Sequence, residues 1–526
     1  MPAKSLMILG TASGVGKSLV TAGFCRLLSD TGCRVAPFKA QNMSNNSWVT
    51  AEGGEMGRAQ VVQAECARIE PHTDMNPVLL KPSTDQTSQV IVHGFSVGQF
   101  SAREYFSEGQ RGLFEKAKES FNRLAEQNDF LVLEGAGSPA EVNLKSRDFV
   151  NMKTAEMADA VCVLVADIDR GGVFASVIGT LDLLEPHERA RIKGIIINKF
   201  RGDVSLFDDG IKFIEERTGV KVLGILPYDH ELWMMEEDSV PVENRGQVLN
   251  PVPNSLDIAV VYLPRISNFT DFEVLRFEPG VRVRYLRRAE EMGSPDLLIL
   301  PGTKATIADL DYLKEKGFTG KILDYAKGGG RVLGICGGFQ MLGETIRDGQ
   351  HQESKTAECP GLGLFKMTTE FFPEKVLKQV ESVIETKIFG RKIKAPVRAY
   401  EIHMGRTEFQ EKYPEFGPQG IVHSSGKIAG TYLHGLFDET GFRHAFLQAL
   451  AADCGKSFTP SSNAKSLEQI KQENYDRLAA LLRKHLELEF LEKFLGCQFK
   501  VGSPGSVLSA TIGRTDPSFG GKVQVL

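Results

Sequence analysis

Residues 10–18 read Gly10-Thr-Ala-Ser-Gly-Val-Gly-Lys-Ser18, between an apolar strand pattern at Leu6-Met-Ile-Leu9 and an apolar helical pattern that begins at about Gly16. A strand, a glycine-rich turn ending in Gly-Lys-Ser and a helix are the sequence context of a phosphate-binding loop. We expect backbone N–H groups of the turn and the helix N-terminus to face nucleotide phosphates. The candidate ATP-binding residues of this loop are Thr11, Gly14, Val15, Gly16, Lys17 and Ser18.

Near-continuous apolar runs alternate with helical patterns along most of the chain. Such runs are typical of strands in a parallel sheet that helices cover on both faces. The sequence therefore predicts an α/β protein with two α/β domains. The strand-like runs are Leu6–Leu9, Phe130–Leu133, Val161–Val165, Gly194–Ile197, Val222–Leu226, Ile258–Leu263, Leu297–Leu300, Arg331–Ile335 and Ile428–Leu433.

Breaks in these patterns give the predicted domain boundaries. A doubly wound P-loop domain is expected at residues 1–238, and a polar, proline-bearing linker at 239–255. A second α/β domain is expected at 256–450, followed by a helical appendage at 451–500 because apolar residues recur there with helical spacing. Residues 501–526 are rich in Ser and Gly and are expected to form a disordered or loosely held tail.

Composition restricts the function classes. The formal charge of −5 over 526 residues gives no sign of a basic face, so we expect no nucleic-acid partner. The N-terminus has no apolar stretch long enough for a signal peptide or a membrane helix, so we expect a cytoplasmic protein with no membrane partner. The eight cysteines are scattered without a pair at metal-binding spacing, which argues against a zinc site or a disulfide framework.

Two positions near other strand ends are candidates for the nucleotide site. A magnesium ion beside phosphates usually takes a carboxylate at the end of a neighbouring strand, and Glu134 closes the run 130–133 before two glycines. We expect Glu134 and Ser18 to bind Mg²⁺. Asn198, at the end of the run 194–197, is a candidate for recognition of the nucleotide base, although asparagine also ends strands simply as a turn former.

Gly334-Ile-Cys336-Gly-Gly338 is a second reactive loop, placed between an apolar strand and a helix start. Flanking glycines permit the sharp strand-to-helix turn of a nucleophile elbow, and the helix dipole favours a thiolate at that position. We expect Cys336 to be a nucleophile. The N–H of Gly337 and the turn that contains Gly302 and Thr303 are the candidate oxyanion hole.

A cysteine nucleophile also needs a general base. His434 is the main candidate because it closes an apolar strand and is followed by glycine. His403 and His423 are alternatives that the spacing leaves open.

The stretch Gly329-Gly-Arg-Val-Leu-Gly-Ile-Cys-Gly-Gly-Phe-Gln340 resembles the class I glutamine amidotransferases, whose cysteine forms a glutamyl thioester and releases ammonia. Those enzymes usually carry a glutamate two residues after the histidine, and Leu436 stands there in this chain. This departure is similar to the cobalamin-pathway branch, in which a cysteine and a histidine work as a pair. The group that would orient His434 is left open.

Longer motifs of the first half resemble the cobyric acid synthase family. They are Phe38-Lys-Ala-Gln-Asn-Met-Ser-Asn-Asn-Ser47, Glu55-Met-Gly-Arg-Ala-Gln60, Met75-Asn-Pro-Val-Leu-Leu-Lys-Pro82, Glu134-Gly-Ala-Gly-Ser-Pro-Ala-Glu141 and Asp167-Ile-Asp-Arg-Gly-Gly-Val-Phe174. The resemblance extends from residue 5 to about 490. Thr11 in the phosphate loop is similar to amidoligases of the dethiobiotin synthetase type.

This resemblance implies ATP- and glutamine-dependent amidation of the b, d, e and g carboxylates of adenosylcobyrinic acid a,c-diamide, giving adenosylcobyric acid. The implied small molecules are ATP, Mg²⁺, L-glutamine and a corrinoid. Ammonia from Cys336 would attack an acyl phosphate formed at the phosphate loop. The resemblance places four residues at the corrinoid: Gln41, Asn42, Asn76 and Asp148.

Several alternatives remain at this stage. Related amidoligases place an aspartate after the second strand, where this chain has Lys39-Ala-Gln-Asn42, so either Asn42 is a neutral metal ligand or Asp167 or Asp169 supplies the charge. Cobyrinic acid a,c-diamide synthase is the alternative within the pathway. A partitioning-type P-loop ATPase switch is disfavoured because it carries a lysine where this chain has Ala12. An amidase with a degenerate phosphate loop is the third alternative.

Overall fold

The computed structural model describes residues 3–84, 86–106, 112–235, 254–461 and 464–499. The predicted tail and almost all of the predicted linker lie outside these residues. None of the described helices is long and apolar enough to cross a membrane.

A six-stranded parallel sheet forms the centre of the first half. The first strand, Lys4–Gly10, lies in the middle and pairs with the strands at 161–167 and 130–134. Its residues from Ser5 to Gly10 are buried, as expected for a strand covered on both faces. In spatial order the strands are Val222–Pro227, Ile192–Phe200, Val161–Asp167, Lys4–Gly10, Phe130–Glu134 and Val35–Phe38.

Helices cover this sheet, and the first of them follows the phosphate loop. Gly16 has φ 101°, a left-handed conformation that favours glycine, and the helix starts at Lys17. The helices are Lys17–Asp30, Arg58–Cys66, Ala102–Glu104, Leu113–Gln127, Met152–Met157, Val173–Asp182, Pro186–Arg189 and Asp208–Thr218, with 3₁₀ segments Thr73–Met75 and Val204–Phe207.

A β-rich insertion between residues 41 and 101 lies beside this sheet and was not predicted from the sequence. It contains a four-stranded sheet and a two-stranded ribbon. The four strands are Gln41–Met43, Val78–Pro82, Thr87–Val92 and Phe95–Ser101, and the ribbon consists of Ser47–Val49 and Glu55–Gly57.

The second half has its own six-stranded sheet, in which all strands except the last edge strand are parallel. In order the strands are Val281–Leu286, Leu256–Val261, Leu297–Leu300, Val332–Ile335, Ile428–Thr431 and Ile421–Val422. The accompanying helices are Thr306–Glu315, Phe318–Lys327, Gly337–Met341 and Thr440–Asp453, with 3₁₀ segments Phe269–Phe277 and Ala289–Glu291. The predicted α/β fold class is confirmed.

The strand predicted at 428–433 is wrong in its last part. It ends at Thr431, and Leu433 and His434 pair instead with Tyr400 and Glu401 of another sheet. This switch carries His434 away from the parallel sheet. The other sheet contains Glu358–Pro360, Thr345–Arg347, a long hairpin of Met367–Ile388 and Arg391–Phe409, and Leu433–His434.

Two C-terminal helices, Leu467–His485 and Leu488–Leu495, pack on the first half. Gly23 permits close approach, since a Cβ there would lie 2.6 Å from a methyl of Leu482. Arg26 donates hydrogen bonds of 2.6 and 2.9 Å to Asp476 across the same contact. The last helices are therefore tied to the helix that follows the phosphate loop.

Candidate active sites

Cys336 occupies a strained turn between the strand Val332–Ile335 and the helix Gly337–Met341, with φ 52° and ψ −111°. The neighbouring glycines are required by packing, because a Cβ on Gly338 would lie 2.0 Å from the carbonyl oxygen of Leu300. A non-glycine residue at positive φ is uncommon and costs about 1–3 kcal/mol. The geometry is that of a nucleophile elbow, and it holds the buried sulfur at the start of a helix.

His434 is fully buried and is oriented by a carboxylate. Its Nδ1 lies 2.7 Å from Oδ2 of Asp271, whose other oxygen accepts a 3.0 Å hydrogen bond from the N–H of Gly435. The His434 ring stacks on Tyr400 with centroids 5.3 Å apart. These contacts leave the other ring nitrogen, Nε2, without a hydrogen-bond partner among the described residues.

Burial lowers the pKa of His434, but the charges of Asp271 and Cys336 outweigh burial and raise it to about 10. The imidazolium form is therefore favoured at neutral pH. A positive ring near a nucleophilic sulfur can give a proton to the leaving group of an acyl transfer.

The turn predicted as part of an oxyanion hole lies against the elbow. A Cβ on Gly302 would lie 2.9 Å from Cε1 of His434, and a Cβ on Gly337 would lie 3.2 Å from the backbone nitrogen of Thr303. The Thr303 hydroxyl is engaged elsewhere, since its one proton lies within reach of Asp309 and the carbonyl of Arg265, and its oxygen accepts from the N–H of Ala305. Backbone N–H groups, and not this hydroxyl, are thus the available type of donor at the turn.

The two alternative histidines occupy different environments. His403 stacks on Tyr432 at 3.8 Å and lies 3.4 Å from Glu401. His423 is partly exposed and contacts Ser425 in a turn. Both His403 and His434 have a buried carboxylate partner, but the contact of His434 is shorter, 2.7 Å against 3.4 Å, and the charge of Cys336 acts on His434.

The phosphate loop faces Glu134 at the centre of the first sheet. Ser18 donates a 2.9 Å hydrogen bond to Oε1 of Glu134, and Lys39 contacts the same oxygen at 2.9 Å. Gln63 donates to the second carboxylate oxygen at 2.5 Å. Burial raises the pKa of Glu134, but Lys39, Gln63 and Lys17 together outweigh burial, so the pKa is lowered. An ionised carboxylate and a hydroxyl are suitable oxygen ligands for Mg²⁺ beside phosphates.

A cavity next to this loop is lined by both polar and apolar groups. Gly14, Gly16 and Ser18 of the loop line it. Its apolar lining includes Pro227, Tyr228, Leu232, Met234, Met235 and, from the C-terminal helix, Leu481. A lining of both kinds fits a ligand with phosphates and a planar base.

Asn198 lines the same cavity, but its amide donates a 2.8 Å hydrogen bond to the carbonyl of Val15 in the loop. Asp167 contacts Lys199 at 2.9 Å, and Lys199 also donates to the carbonyl of Gly14. Asp169 pairs with Arg201. Asp167 and Asp169 are thus paired with cations that lie at or just after the end of the strand Ile192–Phe200, whereas Glu134 contacts Ser18 of the loop directly.

Of the four predicted substrate residues, Asn42 and Asn76 lie close together, because a Cβ on Gly57 would lie 2.5 Å from Nδ2 of Asn42 and 3.2 Å from Oδ1 of Asn76. The amide of Asn42 donates to Gln60 at 2.9 Å, and Gln41 accepts from Tyr105. Asn76 is buried with its amide bound to the backbone of Gly57 and Val78. The carboxylate of Asp148 is bound by Asn151 and by backbone N–H groups. Their role at a corrinoid stays a prediction.

Comparison with known proteins gives both halves a family. Residues 257–442 match the CobB/CobQ-like glutamine amidotransferase domain, and residues 6–242 match the CobQ/CobB/MinD/ParA nucleotide binding domain. The chain is 45% identical over 512 residues to the cobyric acid synthase of Syntrophobacter fumaroxidans, covering 94% of this chain and 99% of that protein. The chain belongs to the cobyric acid synthase family. It is an enzyme of the amidotransferase and ligase class.

Other cobyric acid synthases are equally similar over the whole chain. The protein of Carboxydothermus hydrogenoformans is 46% identical over 94% of this chain and 100% of its own length. That of Pelotomaculum thermopropionicum is 48% identical over 94% of this chain and 97% of its own length. The family resemblance drawn from the motifs is therefore confirmed.

Sequence reasoning missed three side chains of the two sites. Asp271 lies in an irregular 3₁₀ segment without a motif, and no sequence signal could have found it. Lys39 follows the strand Val35–Phe38, so its place at a strand end was a usable signal. Gln63 lies on the helix Arg58–Cys66, which was not predicted. Leu436, at the usual glutamate position, is buried among apolar residues.

Proposed function

We propose that this enzyme uses ATP and L-glutamine to amidate the b, d, e and g carboxylates of adenosylcobyrinic acid a,c-diamide, producing adenosylcobyric acid. The relatives named cobyric acid synthase, which match 94% of this chain, support the reaction class. The single observation that carries the proposal is a short segment, residues 47–63, that contacts both the Cys336 site and the Glu134 site. Arg58 donates to Tyr400, which stacks on His434, while Gln63 donates to Glu134.

In the glutaminase half, the Cys336 sulfur attacks the side-chain amide of glutamine. His434 gives a proton to the departing ammonia, and Asp271 holds the ring in the correct orientation through Nδ1. Backbone N–H groups at Gly337 and the Gly302 turn bind the oxyanion. Water then hydrolyses the glutamyl thioester and releases glutamate.

In the synthetase half, ATP phosphorylates a corrinoid carboxylate, because an acyl phosphate has a far better leaving group than a carboxylate oxygen. Lys17 and the N–H groups of the loop bind the phosphates. Ser18 and Glu134 would hold Mg²⁺, which neutralises phosphate charge when bound. Ammonia attacks the acyl carbon and phosphate leaves. The contacts of residues 47–63 join the glutaminase site to the synthetase site, so that the two half-reactions take place in connected parts of the molecule.

A Cys336→Ser variant tests the two-site division. We expect glutamine-dependent amidation to be lost and amidation with free ammonium to persist, because the synthetase site is untouched. Mass spectrometry of a time course with the a,c-diamide, ATP and Mg²⁺ gives the number of amides added. Cys359→Ser is the matched control, since Cys359 is also a buried thiol of the second half. Loss of both activities in folded Cys336→Ser would contradict the proposal.

The same assay separates the alternatives. Cobyrinic acid a,c-diamide synthase would amidate cobyrinic acid at two positions and leave the a,c-diamide unchanged. An ATPase switch would release no glutamate from glutamine. A plain amidase would release ammonia without any need for ATP.

A further inference from the structure

A small cavity opens beside Cys336, and both halves of the chain contribute to its wall. The second half supplies Lys304, Glu353 and Lys375, and the β-rich insertion of the first half supplies Lys81. The glutaminase reaction proposed at the Cys336 sulfur uses none of these three lysines. Their charges point to a second function of the cavity, which is recognition of the part of the substrate away from the reacting amide.

The best defined of these charges form a buried chain across the two halves. Lys81 contacts Oε1 of Glu55 at 2.6 Å and donates to the hydroxyl of Ser47 at 2.8 Å. Lys375, from the long hairpin, contacts Oε2 of the same carboxylate at 2.5 Å. The side chains of Lys81, Glu55 and Lys375 are 4%, 1% and 10% exposed, so water neutralises little of this charge.

The three side chains Lys81, Glu55 and Lys375 together carry one positive charge in excess. Burial raises the pKa of Glu55, but the charges of Lys375 and Lys81 lower it to about 2, so this carboxylate is ionised. Burial lowers the pKa of Lys81 to about 8, so its ammonium persists at neutral pH. Two ammonium groups on one carboxylate leave one charge uncompensated, and a buried uncompensated charge is costly. A ligand carboxylate would compensate it.

Glu353 adds the opposite charge to the same cavity. Its Oε2 accepts a 2.9 Å hydrogen bond from the N–H of Thr306, and burial raises its pKa while Lys304 opposes that shift. A cavity with lysines and a glutamate near a nucleophilic sulfur is complementary to an amino acid zwitterion. The carboxylate of the zwitterion would meet the lysines, and its ammonium would meet Glu353.

We infer that Lys81 and Lys375 bind the α-carboxylate of glutamine, so that the synthetase half supplies part of the glutamine pocket. This inference rests on the proposed glutaminase reaction at Cys336. It makes glutamine affinity depend on the contact between the two halves, because Lys81 is held at the cavity by Ser47 and Glu55 of the insertion. Lys81 is thereby a specificity residue for the nitrogen donor.

The test compares Lys81→Met with the wild type in a glutamate-release assay. We expect KM for glutamine to rise about 10- to 100-fold, as for loss of one charged hydrogen-bond partner, with kcat changed less than about threefold. The KM for ammonium in the amidation assay should not change. Lys378→Met is the matched control, because Lys378 is on the same hairpin as Lys375 and is half exposed. An unchanged KM for glutamine would overturn the inference.

Glutamine methyl ester, which lacks the negative α-carboxylate, separates recognition from a structural role. The wild type should prefer glutamine to the ester, and Lys81→Met should lose most of this preference, whereas Lys81→Arg should retain it. A preference that survives in both Lys81→Met and Lys375→Met would overturn the inference. If the corrinoid assignment is wrong, the wild type forms no amide with either nitrogen source. The preference for glutamine over its methyl ester can still be measured by glutamate release.

Discussion

Asp271 accepts a 2.7 Å hydrogen bond from Nδ1 of His434 across 163 residues of sequence. The carboxylate and the imidazole are both almost fully buried, so little solvent weakens the interaction. The second oxygen of Asp271 binds the N–H of Gly435, which fixes the carboxylate relative to the backbone that carries the histidine. This aspartate takes the orienting position that Leu436 cannot fill.

Asp271→Asn should strongly reduce glutamine hydrolysis. An amide can hold the ring through its oxygen but removes the charge that stabilises the imidazolium, and a comparable change in a serine protease triad lowers kcat by about 10⁴-fold. We expect a loss of about 10²- to 10⁴-fold in glutamate release, with ammonium-dependent amidation retained. Asp257→Asn, which loosens an ion pair with Arg284 in the same domain, is the control for folding. A similar loss in that control would assign the effect to stability.

The sequence predicted the two loops because each depends on local geometry. Glycines at 14, 16, 334 and 338 are required by left-handed backbone or by close packing, and such requirements leave a readable motif. Asp271 and Lys81 reach their sites through long-range folding of an irregular segment and an insertion. Sequence periodicity does not indicate which distant segments come together in the fold, so the places of Asp271 and Lys81 could not be predicted.

The strand end at His434 shows the same limit. An unbroken apolar run predicts one strand, yet the backbone leaves the parallel sheet after Thr431 and joins the hairpin strand at Tyr400. The N–H of Leu433 is bound by the hydroxyl of Thr431 at this point. The apolar character of the run reports burial, but it does not report which sheet the residues join.

The pKa of His434 predicts a pH dependence of stability. Its value in the folded chain is about 10, above the usual 6.5, so the contribution is complete below about pH 6.5 and is lost as pH rises to about 10. A single proton gives a maximal slope of about 1.4 kcal/mol per pH unit. Under reducing conditions, the melting temperature of the wild type should therefore fall more steeply than that of His434→Gln between pH 7 and pH 9.5. Parallel pH profiles would contradict this assignment.

Glu134→Gln should impair the synthetase site and spare the glutaminase site, which is the reverse of the effect expected for Cys336→Ser. Removing the charge weakens the metal and phosphate site, so amidation should fall about 10- to 100-fold with either glutamine or ammonium as nitrogen donor, as is common when a metal-site partner is lost. Cys336 is untouched, so a basal glutaminase activity should persist. Asp129→Asn is a matched control, because this exposed acid lies just before the strand that Glu134 closes. Normal amidation by Glu134→Gln would exclude the assigned role.

Gly430→Ala tests the packing behind the nucleophile. A Cβ at this position would lie 1.9 Å from the ring of Phe339, which lies on the short helix after Cys336. Overpacking of a core costs about 1–3 kcal/mol, and here it would also displace the elbow. We expect a lower melting temperature and reduced glutamate release. Gly441→Ala is the control, since nothing lies within 4 Å of its Cβ, and it should be neutral or slightly stabilising.

Arg58 links the glutaminase site to the helix that reaches Glu134. Its guanidinium donates a 2.9 Å hydrogen bond to Tyr400 and lies 4.6 Å from the centre of the Trp48 ring. The side chain is buried at the contact of the two halves, so its loss leaves the Tyr400 hydroxyl with a weaker partner, the carbonyl of Ser47 at 3.4 Å. The contact between the halves should then loosen.

Arg58→Met should therefore uncouple the half-reactions without removing either set of reactive groups. We expect glutamate release to continue while amide formation falls, so that fewer amides form per glutamate than in the wild type. Ammonium-dependent amidation should be affected less, because free ammonium does not depend on transfer between the sites. Arg68→Met, just after the same helix and partly exposed, should keep the wild-type ratio. An unchanged ratio in folded Arg58→Met would mean that ammonia transfer does not depend on this contact.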